Sequence, residues 1–127
     1  MPSILPEAVL DYLAAYQTGD TSKLHLCLAP NVFYLNVTDE GGMACARTAL
    51  TASQILSGGV HDMLTDIKLT VTEQHVDGGI VRIAGILDAT SQKTITGGFQ
   101  YGQHVHVPIR LGIKVEGGRI VKIFESS

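Results

Sequence analysis

The chain lacks most of the features that announce a function. No apolar run approaches the roughly 18 residues a membrane-spanning helix needs, so a helical membrane protein is not expected. Its nine lysines and arginines are scattered against twelve carboxylates, for a net charge of −3. No basic stripe results, which argues against a nucleic-acid partner and against an anionic membrane surface. The first residues carry no basic segment followed by an apolar core, so a secretory signal is not expected either. Only two cysteines occur, Cys27 and Cys45. They lack metal-ligand spacing and read as small apolar thiols of a reduced, cytoplasmic protein, with a disulfide left open. A nucleophile elbow, a phosphate loop and a dinucleotide fingerprint are all missing. Neither a cofactor nor a metal is expected.

What remains is a packed globule. With 127 residues and 45% hydrophobic content, the chain is most simply one domain over 1–127, hiding roughly two-thirds of its unfolded surface. The clearest pattern is the last one, from His104 to Glu125. It reads as two strands joined at Glu116-Gly117-Gly118, where consecutive glycines supply the positive φ of a tight hairpin turn. Val107, Ile109, Leu111, Ile113 and Val115 recur at every second position and make one face apolar. His104, His106, Pro108, Arg110, Gly112 and Lys114 make the other face polar.

The earlier elements follow from the same rules. Pro6 and Glu7 suit a first helical turn, and Val9, Leu10, Leu13, Ala14 and Gln17 follow at helical spacing. Tyr12 and Tyr16 lie one turn apart on an adjoining face. Gly19 ends this helix, and Asp20 is the expected N-cap of a short second one that turns Leu24, Cys27 and Leu28 inward and ends near Pro30. Asn31 to Val37 is strand-like, Thr38 to Gly42 a loop, and Ala44 to Ser57 a third helix with Ala49, Ala52, Ile55 and Leu56 inward, stopped by Gly58-Gly59. Asp66 to Glu73 alternates as a strand, Asp77-Gly78-Gly79 turns, and Ile80 to Ala89 returns. Thr90 to Tyr101 is polar, glycine-rich and irregular. Helices followed by strands indicate an α+β fold: a curved, mostly antiparallel, cone-shaped sheet with about three N-terminal helices covering its concave face. The open end of such a cone is the expected ligand site.

Several phrases resemble the nuclear transport factor 2-like superfamily, which includes SnoaL-like polyketide cyclases, ketosteroid isomerases and scytalone dehydratases. Tyr12-Leu-Ala-Ala-Tyr-Gln-Thr-Gly-Asp20 is similar to the end of that family's first helix. Leu24 to Tyr34, ending Ala-Pro-Asn-Val-Phe-Tyr, resembles its next helix and first strand. Val107-Pro-Ile and Gly118-Arg-Ile-Val-Lys-Ile match the style of its final hairpin. The resemblance spans nearly the whole chain in short motifs, and it implies the fold more than an activity. It implies a tyrosine oxyanion donor at Tyr12. The isomerase base falls at Asn36, which cannot take a proton, and the second oxyanion donor falls at Arg110 or Leu111. A standard steroid isomerase is therefore rejected.

The candidate chemistry is small-molecule acid–base work of the cyclase, isomerase or dehydratase kind. Tyr12, His106 and Asp88 are the candidate catalytic residues: Tyr12, helped by Tyr34, polarises an oxygen, and His106 or Asp88 moves a proton. Tyr16, Tyr34, Asn36 and Arg110 are the candidate substrate-binding residues. Tyr34 and Asn36 share a strand face. His104 and His106 share one too and could chelate a metal, but no carboxylate follows between Val107 and Ile113. Asp39, Glu40 and Asp62 read as solvated loop residues, and His25, His61 and His75 as isolated surface histidines. Alternation favours placing His106, Arg110 and Lys114 on the convex face, in water or in a homodimer contact, unless a bulge near Pro108 reverses it. The alternative function is a non-catalytic ligand-binding or dimerisation module.

Overall fold

The computed structural model describes residues 5–22, 24–37, 43–55, 63–94 and 99–126. The expected features at Asp39, Glu40, Leu56, Gly58-Gly59, His61 and Asp62 lie outside the described residues. Among the described residues, three helices and six strands follow one another as α1 (Glu7–Thr18), α2 (Leu24–Cys27), β1 (Leu28–Val37), β2 (Met43–Ala46), α3 (Ala49–Ile55), β3 (Leu64–Asp77), β4 (Ile80–Ser91), β5 (His104–Glu116) and β6 (Arg119–Ser126). The strands form one curved, unclosed sheet in the order β2-β1-β6-β5-β4-β3. Every pairing is antiparallel except β1 with β6. The α+β architecture expected from the sequence is the one observed.

The helices lie against one face of that sheet. In α1 the buried side chains are Ala8, Val9, Tyr12, Leu13, Ala15 and Tyr16, while Leu10 and Ala14 are exposed. The inward stripe is therefore centred on the two tyrosines, rotated from the one the aliphatic spacing suggested. Gly19, at φ 77°, closes the helix by donating its N–H to the Ala15 carbonyl at 2.9 Å. Gln17 Oε1 accepts the Leu69 N–H at 3.1 Å and fastens the helix end to β3.

Three sequence expectations shift here. Asp20 caps a turn rather than α2: its Oδ1 accepts the Ser22 N–H at 3.0 Å, and the helix begins only at Leu24. That helix is a single turn, and β1 takes over at Leu28. Residues 43–46 form an edge strand paired with Tyr34 to Val37, not the start of a helix. The third helix starts after Thr48, whose hydroxyl accepts the Thr51 N–H at 3.1 Å and so supplies the N-cap. Alanine favours helix, and backbone pairing with β1 overrides that preference.

The two Gly-Gly turns behave as expected. Gly78 and Gly79 sit at φ 60° and 81°, Gly117 and Gly118 at 59° and 79°. Positive φ at both central residues matches the right-handed twist of the flanking strands. On β5, Val105, Ile109, Leu111 and Ile113 are buried beneath the helices, while His104, His106, Pro108 and Arg110 are exposed on the outer face. Ile113, Ile120 and Ile123 are fully buried, and each contributes about 1.5–3 kcal/mol from burial.

Candidate functional site

A polar cluster sits inside this apolar core. Among the described residues, Ser91 and Glu125 are the only buried side chains outside the hydrophobic set, and Glu125 is 5% exposed. Asn36 Nδ2 donates to Glu125 Oε2 at 2.8 Å and contacts the Tyr34 hydroxyl oxygen at 3.2 Å. Tyr16 hydrogen-bonds the same carboxyl. The Tyr12 and Tyr16 rings are 6.4 Å apart and tilted by 58°. Tyr12, Tyr16, Tyr34 and Asn36, singled out in the sequence, are thus brought together around a carboxyl that was not.

Glu125 owes its position to one extra residue. The Gly117-Gly118 turn pairs Glu116 with Arg119 and Val115 with Ile120. Continued without interruption, that register would set Leu111 against Phe124 and turn Glu125 to the outer face. A bulge between Lys114 and Val115 advances β6 by one residue, so Ile113 pairs with Ile123 and Leu111 with Glu125. A one-residue shift exchanges the faces of everything beyond it. The sequence held one hint: Ile120 and Ile123, three apart, can both face inward only across such a break.

Burial drives the electrostatics. It pushes the Glu125 carboxyl from 4.5 up to about 7, against the hydrogen bonds from Tyr16 and Asn36 that favour its charged form. The hydroxyls of Tyr12, Tyr16 and Tyr34 are all pushed above their ordinary value, by burial first and then by the nearby Glu125 charge. They stay protonated; the Tyr16 hydroxyl donates to Glu125, and the Tyr34 oxygen accepts from Asn36. Glu125 Oε1 and Asn36 Oδ1 are buried with no hydrogen-bond partner among the described residues. Leaving such an acceptor unmet costs about 1–3 kcal/mol. A carboxyl that titrates near neutrality beside fixed hydroxyl donors can take or return a proton while an adjacent oxygen is polarised.

The remaining candidates do not join this cluster. His106, Asp88 and Arg110 lie on the outer face, across the sheet from Tyr12, because strict alternation continues through Pro108 with no bulge between β4 and β5. Asp88 stands opposite His106, and His104 lies beside them. Ring nitrogens His104 Nε2 and His106 Nδ1 approach Asp88 Oδ1 at 3.0 and 2.7 Å, and these contacts hold the Asp88 carboxyl below its ordinary value. Arg110 instead borders a groove of about 480 Å³ on the outer face, with Leu35, Val37, Phe124, Arg82 and Glu73. His25 and His75 are exposed, as expected. Cys27 is buried and Cys45 exposed, and both are free thiols. No described helix is long and apolar enough to cross a membrane.

No protein-family model matches the chain, and no curated protein matches it in sequence. Solved structures match its fold closely. A Catenulispora acidiphila protein with a ketosteroid isomerase-like fold, in complex with trimethylamine, has a TM-score of 0.73 at 20% identity, covering 94% of this chain and 84% of that one. A candidate SnoaL-like polyketide cyclase from Jannaschia sp. CCS1 has a TM-score of 0.74 at 13% identity, covering 98% and 88%. An LEH-like epoxide hydrolase from M. tuberculosis has a TM-score of 0.70 at 18% identity, covering 94% and 78%. The chain therefore has the nuclear transport factor 2-like fold that its sequence motifs resemble.

Proposed function

We propose that this protein binds a small, mostly apolar, oxygenated molecule against the tyrosine cluster and acts on it by cofactor-independent acid–base chemistry of the cyclase, isomerase or dehydratase kind. The observation that carries this reading is Glu125, buried and raised to about 7, within hydrogen-bonding reach of Tyr16 and Asn36. In this reading Tyr12 and Tyr34 polarise a carbonyl or phenol oxygen, Tyr16 and Asn36 hold the carboxyl in place, and Glu125 moves the proton. The proton-transfer role assigned from sequence to His106 or Asp88 passes to Glu125, since those two stand on the opposite face of the sheet. Structures of the same fold described as a candidate cyclase and an epoxide hydrolase lend support at the level of small-molecule chemistry. The two free thiols suit a cytoplasmic setting.

The test is binding of a series of substituted phenols of graded acidity, followed by NMR of the tyrosine ring signals and the Glu125 carboxyl. The expected result is selective perturbation of Tyr12, Tyr34 and Glu125, with affinity rising as the phenol becomes more acidic. No binding by any phenol, with the Glu125 carboxyl titrating as an ordinary glutamate, would sink the proposal.

A second reading concerns the outer face. Phe124 and Val37 are 46% and 41% exposed and share the groove with Arg82, Arg110 and Glu73. An apolar strip flanked by both charge signs can meet its own copy across a twofold axis, so this face is assigned as a homodimer contact, with Arg110 at the interface rather than on the substrate.

A further inference from the structure

We propose that Asp88, His104 and His106 form a site for a divalent transition-metal ion on the outer face of the sheet, separate from the tyrosine cluster. The register of β4 and β5 builds it. Asp88 pairs directly with His106, and Thr90 pairs with His104, so the two imidazoles and the carboxylate project from one face of adjacent strands. One ligand atom from each residue falls within 4.8 Å of the other two. The rings stand edge to face, 6.2 Å apart at 89°, with one nitrogen of each turned toward the same carboxylate oxygen.

The distances suit an ion. Ligands at about 2.1 Å from a metal and at right angles to one another are about 3 Å apart. The two histidine-to-carboxylate separations are 3.0 and 2.7 Å. The third separation, between the two ring nitrogens, is within 4.8 Å, so an ion would draw the three side chains in around it while the paired strands keep the backbone in place. Strands hold such positions more exactly than loops do.

The donor set chooses the class of ion. Two imidazoles and one carboxylate favour zinc, nickel, cobalt or iron over calcium and magnesium, which prefer all-oxygen shells. The side chains of His104, His106 and Asp88 are 68%, 64% and 33% exposed, so water can complete the coordination sphere. The sequence hid the site because its carboxylate comes from β4, sixteen residues before His104, not from the residues following His106.

The experiment is calorimetric titration of the full chain, freed of any affinity tag, with zinc, nickel and calcium chlorides, together with the visible absorption of the cobalt form. A Cys45→Ser background removes the exposed thiol as a competing ligand. The expected result is one zinc or nickel ion per chain, no calcium binding, and a cobalt spectrum altered by His106→Ala. Affinity should fall at least tenfold in each of Asp88→Asn, His104→Ala and His106→Ala, and stay unchanged in His25→Ala and His75→Ala. Circular dichroism of each variant checks that the fold is retained. Zinc affinity in the folded His104→Ala/His106→Ala double variant equal to that of the parent would overturn the proposal.

Discussion

Replacing Glu125 with glutamine should change how stability depends on pH, and the size of the effect follows from the site. The carboxyl is pushed from 4.5 to about 7 on folding, chiefly by burial. At about 1.36 kcal/mol per pH unit, the protonated form is favoured in the folded state by roughly 3 kcal/mol. A raised acid stabilises the fold while it is protonated. This contribution is fully present below the unfolded value and disappears as pH rises through the folded one. The native chain should therefore lose about 3 kcal/mol of stability between about pH 4.5 and 7.5 and then level off. For a domain of this size that is a fall in Tm of about 10 °C. Glutamine keeps the shape and an acceptor for Asn36 but cannot ionise, so Glu125→Gln should be flat across the same window and more stable than the parent at pH 8. Urea unfolding followed by circular dichroism at half-unit pH steps measures both curves. Asp88 does not confuse the result: its value is lowered from 3.8, so the stability it contributes is lost only below that pH. Parallel pH profiles for parent and variant would refute the placement of Glu125 as a buried, near-neutral carboxyl.

Other expectations follow from single contacts. Tyr16→Phe removes a hydrogen bond that favours the ionised carboxyl, so the Glu125 titration should move further upward, as read by carbon-13 NMR of a labelled glutamate side chain. Gly85→Ala places a Cβ 2.8 Å from the Thr70 carbonyl oxygen, where β3 crosses closely, and should cost about 1–3 kcal/mol in urea unfolding. Ile123→Ala, at a fully buried position between helices and sheet, should cost about 2–5 kcal/mol by the same assay. Arg110→Glu reverses a charge beside the outer groove; under the proposed twofold contact it should lower the mass read by sedimentation from dimer to monomer, and an unchanged mass would place that face in water.

The alternation on β5 and the two Gly-Gly turns could be read directly, because side-chain period and turn chemistry are local properties. They place Ile109, Leu111 and Ile113 under the helices and His104, His106 and Arg110 outside, as observed. Tyr12, Tyr16, Tyr34 and Asn36 were found one by one, but nothing local told what they surround. Residues 43–46 read as helix because alanine favours that state, and antiparallel pairing with the neighbouring β1 overrides the preference. The inward stripe of α1 keeps Val9 and Leu13 but swings from Leu10 and Ala14 to Tyr12 and Tyr16, because a tyrosine ring brings more apolar area to bury than either.

By itself, then, the amino-acid order determined every element but the edge strand β2, the α+β class, the hairpin turns and the faces of the long strands, all set by neighbours a few residues apart. Tertiary structure decided what those faces do. A single-residue bulge on β6 turned Glu125 from water into the tyrosine cluster. The β4–β5 register joined Asp88 to two histidines whose own strand carries a carboxylate only at its far end, Glu116. Both outcomes depend on register between strands, a long-range quantity fixed by the packing of the whole sheet and not by any short stretch of chain.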